Sequence, residues 1–399
     1  MDWREDTVNT SGIIVMKIGI VTYWKSSCNY GEQLQNYALQ EYLKKIGHDA
    51  FLIRYDYDND RISRTPYKKI MKLLDPSQTT SYLKSVIYGK RLVRDGKIHP
   101  RRFQEFRERY LSMSRLYTSL GDLQNDPPEA DMYITGSDQV WNTFEGGLAE
   151  MRNRLRVFFL DFGRKDVLRV SYAASWGRSE LPEEEKSLII PLLSAFNAVS
   201  VREKNGIDIC RELGRKDATL ALDPVLLHDA GTYRKLFTEA KNNGSERKYL
   251  FFYYMNNDGP YNRKSVFDWA EVHGLDVVYV TDDWRDDYKR SFPDVGQWLE
   301  LIDGAECVLT NSYHCSLFCL IFGKRFGVIR RFGKYSGMNT RMDSVFEVFG
   351  IEPRYVNDKV FDVLNRQVDR TNKEGLYSMM TPDEVIKIAL DNYGKKTDN

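Results

Sequence analysis

Three short polar runs carry the side chains best suited to chemistry. His314 stands in Asn311-Ser312-Tyr313-His314, between an apolar stretch of strand length at 307–310 and a second apolar run at 317–322. It is the one side chain of that region able both to give and to take a proton near neutral pH. Arg202 ends an apolar run at 198–202 and is followed by Glu203, Lys204 and Asn205. Its planar fork matches carboxylate and phosphate groups. The third run, GSDQVWN at 136–142, follows a strand-like stretch that contains Tyr133. Ser137, Asp138 and Gln139 beside Trp141 suit a site that hydrogen-bonds a polyol and stacks on its apolar face. Each run also has a structural reading. His314 can fill a polar hole at a helix start capped by Asn311 or Ser312, Arg202 can pair with Glu203 or a distant acid, and Ser137 or Asp138 can cap a helix with Trp141 in the core.

Such loops serve a site only where regular elements bring them together. Residues 298–329 read as helix, strand, loop, helix, strand. In an open parallel sheet, ligands sit at the loop leaving the carboxyl end of a strand, and the next helix points its free N–H groups at them. Near the other end, 17–24 reads as a buried strand, 25–31 as a loop, 32–46 as an amphipathic helix closed by Gly47, and 49–55 as a strand. This βαβ unit sets the class as α/β. Its first loop offers Lys25, Asn29 and Gly31, either an anion cradle or an ordinary connection, and it carries neither the dinucleotide nor the P-loop glycine pattern. Strands are expected at 131–135, 168–175, 198–202 and 218–222. A second alternation follows the polar linker 241–245, with strands at 249–255, 276–280 and 307–310.

The expected organisation is a loose extension at 1–15, a first domain at 16–228 with a basic insertion at about 56–111, a second domain at 246–360, and a helical segment at 361–399 that packs back on the first domain. Helices are expected at 339–349 and 381–393, with 394–399 frayed. Two α/β halves leave a crevice on which the loops of both close.

Bulk composition excludes several classes. With 58 Lys and Arg against 57 Asp and Glu, the net charge of +1 argues against a general nucleic-acid role. Residues 61–110 nevertheless hold 14 basic and 4 acidic side chains, suited to an anionic partner or membrane headgroups, or to a solvated helical face. The five cysteines show neither metal spacing nor a disulfide framework, which fits a reducing cytoplasm. No stretch reads as a signal peptide or a membrane span. No cluster of His, Asp and Glu has ligand spacing, so no metal is expected.

Taken together, GSDQVWN, SYAASWG, SVREKNG, LDPVLL, the NYGEQLQNYAL helix start and the run TNSYHCSLFCLIFGKRF resemble the polysaccharide pyruvyl transferase family, over about 17–350 and in the expected order. The resemblance implies two Rossmann-like domains facing a central cleft, similar to GT-B glycosyltransferases. It implies transfer of the pyruvyl group of phosphoenolpyruvate, a co-substrate rather than a cofactor, to a sugar or lipid-linked oligosaccharide. The product is a cyclic ketal and phosphate is released. Under it Arg202 binds the donor's anionic groups and His314 moves protons. Where well-described members carry an arginine two positions before the histidine, this chain has Ser312. Lys25, Arg325, Arg330, Arg331 and Arg341 are the candidates to replace that charge, with Arg330 and Arg331 favoured because they follow a strand.

The expected site therefore has His314 and Asp138 as titrating groups and Arg202, Ser312, Lys25, Arg330 and Arg331 around the donor. Ser137, Gln139, Trp141 and Tyr133 are expected around the acceptor. The expected location is cytoplasmic, at the inner face of the membrane if segment 61–110 meets headgroups. A nucleotide-sugar glycosyltransferase and a non-catalytic glycan-binding protein on the same scaffold are the competing readings.

Overall fold

Apolar strand-length runs alternating with capped helices fold into two wholly parallel sheets in the computed structural model. The structure describes residues 15–57, 87, 90, 93–94, 96–143, 147–237, 247–255, 261–282, 288–332, 339–357, 361–368 and 378–397. The extension through residue 14, most of the basic insertion and the linker 241–245 lie outside the described residues. The first sheet contains β1 (Lys17–Val21), β2 (Asp49–Tyr55), β3 (Met113–Tyr117), β4 (Met132–Thr135), β5 (Leu168–Ala174), β6 (Ala198–Val201) and β7 (Thr219–Leu220). Their order is β3-β2-β1-β4-β5-β6-β7. The second contains β8 (Tyr249–Tyr254), β9 (Asp276–Thr281), β10 (Cys307–Thr310), β11 (Arg325–Ile329) and β12 (Tyr355–Val356), in the order β12-β11-β10-β8-β9. The edge strands β3 and β12 are additions to the sequence reading. Both are short or half-exposed, and lack the continuous apolar run that marks buried parallel strands such as β4, β6 and β10.

Strand order places the crevices. The first sheet reverses direction between β1 and β4, the second between β8 and β10, and ligands of open α/β sheets bind beyond the carboxyl ends at such switch points. The loops that leave β4 and β10 are the GSDQVWN and NSYH runs. Asn311 ties the second switch point together, accepting from Met255 N–H at 2.8 Å and donating to Met255 O at 2.6 Å.

Seven helices bear on the site. They are α1 (Tyr30–Lys45), α2 (Phe103–Tyr110), α3 (Lys204–Glu212), α4 (Val295–Gly304), α5 (Tyr313–Phe322), α6 (Asn339–Val348) and α7 (Pro382–Thr397). Helix α7 runs through Gly394 to Thr397 where fraying was expected. Its Val385, Ile386 and Ala389 bury against Ile18, Met132, Ile134 and Val170, so the chain crosses back to cover the first sheet.

One residue couples the halves above all. Tyr30, the first residue of α1, stacks on Trp298 of α4 with ring centroids 5.0 Å apart and planes within 6°. It also meets Tyr253 edge-on, and its hydroxyl donates to Pro293 O at 2.7 Å. Phe103 and Phe106 of the basic insertion join the same apolar cluster as Phe251, Val308 and Phe318, so its described end is packed into both halves. Tyr30→Ala is expected to cost roughly 3–5 kcal/mol by loss of this packing, and Tyr30→Phe about 1 kcal/mol for the hydroxyl bond. Denaturant midpoints measure both, and near-equal losses for the two variants would refute the stacking account.

Candidate active site

Loops at the carboxyl ends of three first-half strands meet the start of α5. Arg202 follows β6, Asp223 lies just beyond β7, and Ser137 follows β4. Asp223 caps a 3-10 turn over Pro224–Leu227, its Oδ1 accepting from Val225 N–H at 3.1 Å. That leaves Oδ2 for its neighbours. Arg202 Nη1 donates to Oδ2 at 2.9 Å and to Ser137 O at 3.1 Å, and Ser137 Oγ is 3.4 Å from the same oxygen. From the other half, His314 Nε2 lies 3.5 Å from Oδ2, an ion-pair separation too long for a good hydrogen bond. The carboxylate is fully buried, with side-chain exposure of 1% for Arg202 and 9% for His314.

Position 31 holds the imidazole where it is. A Cβ added at Gly31 would overlap the His314 ring, so the first turn of α1 can lie against the first turn of α5 only with glycine there. Both guanidinium groups of Arg202 and Arg341, the latter from α6, lie against the Tyr313 ring, at 4.7 and 5.3 Å from its centroid.

The field of this cluster is strongly uneven. Burial alone would raise the Asp223 carboxyl, but the adjoining His314 and then Arg202 outweigh it and hold it at about 2. Burial, with the repulsion of Arg202 and Arg331, brings Arg341 down to about 10. Two guanidinium groups are thus close enough to repel in a dry place. Among the described residues, three buried donor atoms around them have no hydrogen-bond partner: Arg202 Nη2, Arg341 Nε and His314 Nε2. Leaving such donors unpaired costs about 1–3 kcal/mol each, more for charged groups, unless a ligand or water accepts from them. The adjoining crevice, lined by Arg202, Asp223, Tyr313 and Arg341 among others, measures about 20 Å³. That admits one water, and an organic phosphate would enter only as α6 or the two halves shift.

Other expected site residues divide. Ser137 belongs to the cluster. Asp138 is partly buried, accepts from Gln139 N–H at 2.7 Å, and its charge reaches both Arg202 and Arg341. Gln139 is turned to Asn142, 3.1 Å away. Arg331 donates to Asn311 O at 3.0 Å, beside the cluster. Five expected site residues are engaged elsewhere in the structure. Ser312 spends its hydroxyl as the N-cap of α5, accepting from Cys315 N–H at 3.4 Å. Lys25 is paired with Asp56. Arg330 is exposed and lies over the Tyr355 ring at 3.5 Å, so following a strand did not bring it to the crevice. Trp141 and Tyr133 are core residues: Trp141 stacks on Phe159 at 4.9 Å, and Tyr133 bonds Pro128 O at 2.5 Å, so neither offers a ring to a sugar.

Sequence reasoning passed over Asp223 as a site residue, although LDPVLL was among the motifs of the resemblance, and it ranked Arg341 behind Arg330 and Arg331. It also passed over Glu32 of α1. Glu32 is buried, accepts from Ser26 N–H at 2.7 Å, and is pushed up to about 8 by burial first and then by Asp138. Among the described residues no group of three or more His, Cys, Asp and Glu is placed to hold a metal.

These shifts set opposite pH dependences. Glu32 binds its proton more tightly in the folded chain, so its contribution to stability is whole below about pH 4 and is lost as pH rises through about 8. Glu32→Gln is therefore expected to raise the denaturant midpoint above pH 8, with the gain shrinking toward pH 5; a pH-independent gain would sink this assignment. Asp223 acts the other way, its contribution present above about pH 4 and lost as pH falls through about 2.

Comparison with known proteins places the chain. No curated protein matches it in sequence. Solved structures similar to it include UDP-GlcNAc 2-epimerase of Methanocaldococcus jannaschii in complex with UDP-GlcNAc and UDP, 12% identical with a TM-score of 0.43 over 90% of this chain and 97% of that one. UDP-GlcNAc 2-epimerase of Neisseria meningitidis bound to UDP-GlcNAc is 9% identical, with a TM-score of 0.40 over 96% and 100%. An alpha-glucosyltransferase in complex with UDP and a 13-mer DNA is 10% identical, with a TM-score of 0.46 over 95% and 100%. The model of the family described as polysaccharide pyruvyl transferase matches residues 29–331, from the cap of α1 to just past β11. The protein belongs to the polysaccharide pyruvyl transferase family.

Proposed function

We propose that the protein transfers the pyruvyl group of phosphoenolpyruvate to two hydroxyls of a sugar in a surface polysaccharide or its precursor, forming a cyclic ketal and releasing phosphate. The observation that carries this reading is the set of three unpartnered donors on Arg202, Arg341 and His314, drawn from both halves into one buried place. Phosphoenolpyruvate carries close to three negative charges, and each charge-assisted bond to it is worth roughly 1.5–3 kcal/mol. An anion between Arg202 and Arg341 turns their mutual repulsion into attraction for a shared ligand. Arg341 thereby supplies the charge that Ser312 lacks.

In this reading the donor's phosphate and carboxylate lie on the two guanidinium groups and its methylene carbon lies beside the His314 ring. Of the two acceptor hydroxyl protons, one ends on the methylene carbon, which becomes a methyl group, and the other leaves with phosphate. His314 relays the first, held in orientation by Asp223. Asp138, whose charge reaches both Arg202 and Arg341, is the carboxylate available to take the second and pass it to the leaving phosphate.

The enzyme would work at the inner face of the membrane. Among the described residues no helix is long and apolar enough to cross a bilayer. Exposed Ile87, Val93 and Ile98 alternate with exposed Lys90, Arg94 and Lys97, a mixture suited to an anionic interface.

Phosphate release from phosphoenolpyruvate in the presence of hexosides tests the reaction. His314→Ala is expected to lower kcat roughly 100- to 10,000-fold while phosphoenolpyruvate still raises the melting temperature. Arg341→Met is expected to weaken donor binding roughly 10- to 150-fold. Gly31→Ala, a single methyl against the imidazole, is expected to lower kcat with a smaller effect on donor binding. Stabilisation by uridine or guanosine diphosphate with none by phosphoenolpyruvate would replace this reading with glycosyl transfer. Binding of glycans without turnover, unchanged by His314→Ala, would replace it with a non-catalytic role.

A further inference from the structure

The crevice beside Arg202 and Arg341 measures about 20 Å³, so some element moves before a ligand the size of an organic phosphate reaches them. Two movements are available. Parting the halves withdraws Tyr30 from Trp298 and opens the apolar cluster that spans both. Displacing α6 alone disturbs much less. Its residues Arg341, Ser344, Val345 and Val348 line the crevice on one side, and Arg202, Glu203 and Asp223 of the first half line the other. Spacings of three and four place those α6 residues on one face of the helix. Helix α6 is therefore the roof of the crevice, with Arg341 on its underside.

The two ends of α6 are held differently. At the start, Arg331 N–H donates to Asn339 Oδ1 and Asn339 Nδ2 donates back to Arg331 O, both at 2.9 Å. One turn on, the Tyr355 hydroxyl donates to Asp343 Oδ1 at 2.7 Å, and Phe346 meets the Tyr355 ring edge-on at 5.3 Å. These partners all belong to the second half, just past β11 and in β12. At the far end, among the described residues, the ion pair that ties α6 to the first half joins Glu347 to Lys204. Lys204 is the first residue of α3 and stands two positions after Arg202. Its side chain is 53% exposed and that of Glu347 63%. A pair so open to water contributes little, and one charge change removes it. The helix is thus hinged at its start by several directional bonds and fastened at its end by a weak electrostatic catch.

Opposing charges act on that catch. Closing α6 brings Arg341 toward Arg202, and the repulsion between the two favours an open roof. The attraction between Lys204 and Glu347 favours a closed one, and an anion held between the two guanidinium groups favours it further. An empty site opposes closure and a filled one enforces it.

We propose that α6 is a lid over the donor site and that Lys204 and Glu347 are positioning residues, the catch that brings Arg341 down onto the donor. The identity of the donor rests on the pyruvyl-transfer reading; the lid rests on α6 and its two ends.

Glu347→Gln and Lys204→Gln each remove one side of the catch, Lys204→Glu sets like charges against each other, and Lys204→Glu with Glu347→Lys restores the pair reversed. Hydrogen exchange read by mass spectrometry tests the lid without any ligand. The amides of 345–349 are expected to exchange roughly two- to fivefold faster in the three single variants and at the parent rate in the double, with β1 unchanged throughout. Dissociation of phosphoenolpyruvate, followed by displacement, should quicken by a similar factor in the single variants and recover in the double. Donor KM rises with it, while kcat at saturating donor changes about twofold at most. A merely structural surface pair would lower the melting temperature and leave donor dissociation as it was. Lys204→Cys with Glu347→Cys lets a short bis-maleimide bridge α3 and α6, in a Cys28→Ser background because the other four cysteines are buried. Bridging is expected to slow both uptake and release of phosphoenolpyruvate roughly tenfold or more. Exchange and donor dissociation indifferent to all three single variants, losses that charge reversal leaves unrepaired, or bridged protein that takes up and releases donor at the parent rate would each overturn the lid. The two readings fail separately. Catch-dependent exchange of α6 with no binding of phosphoenolpyruvate removes pyruvyl transfer and keeps the lid. Turnover of phosphoenolpyruvate with donor kinetics indifferent to the catch does the reverse.

Discussion

A single buried carboxylate oxygen, Asp223 Oδ2, is the point on which the site depends. It meets a guanidinium from the end of β6 and an imidazole from the second half, at 2.9 and 3.5 Å. A buried charge is tolerable only when it is paired. Arg202 is paired a second time, its Nε lying 3.4 Å from Oε1 of buried Glu203, yet among the described residues Arg202 Nη2 and His314 Nε2 keep donor capacity with no hydrogen-bond acceptor. The same carboxylate thus holds the two halves together while donor atoms beside it stay unfilled.

The rest of the molecule can be understood as the support for that arrangement. Tyr30 inserts the amino end of α1 into the second half against Trp298, and Gly31 immediately behind it lets the imidazole approach the helix backbone. Asn311 clamps the β8 and β10 loops, and Ser312 caps α5, so that His314 is carried on a helix start whose direction is set twice over. A one-residue change in any of these would move the imidazole relative to the guanidinium, because the two belong to different sheets and no strand pairing joins them.

Two regions of contrasting charge then flank the loop at 24–31. Beside Tyr313 lie arginines whose mutual repulsion an anion relieves; beside Phe292 lie arginines already balanced by carboxylates.

Periodicity, turn residues and strand-length apolar runs determined most of the fold: two α/β halves, the loops that face the crevice, the helix read at 32–46 that starts at Tyr30, and a helix following the 311–314 loop. Short edge strands escaped because they are not buried on both faces. For the site, residue chemistry singled out His314, Arg202 and Ser137, and the motif order identified the family. Tertiary structure alone decided which charges join them. Arg341 rather than Arg330 turns toward the cluster because a helix face, not the end of a strand, carries it inward. Trp141 and Tyr133 lie in the core because the helices that cover the first sheet bury them, which no local pattern reveals. Asp223 gains its role from partners 21 and 91 residues away in the chain, and a contact between distant segments is set by how the sheets pack, not by the residues on either side.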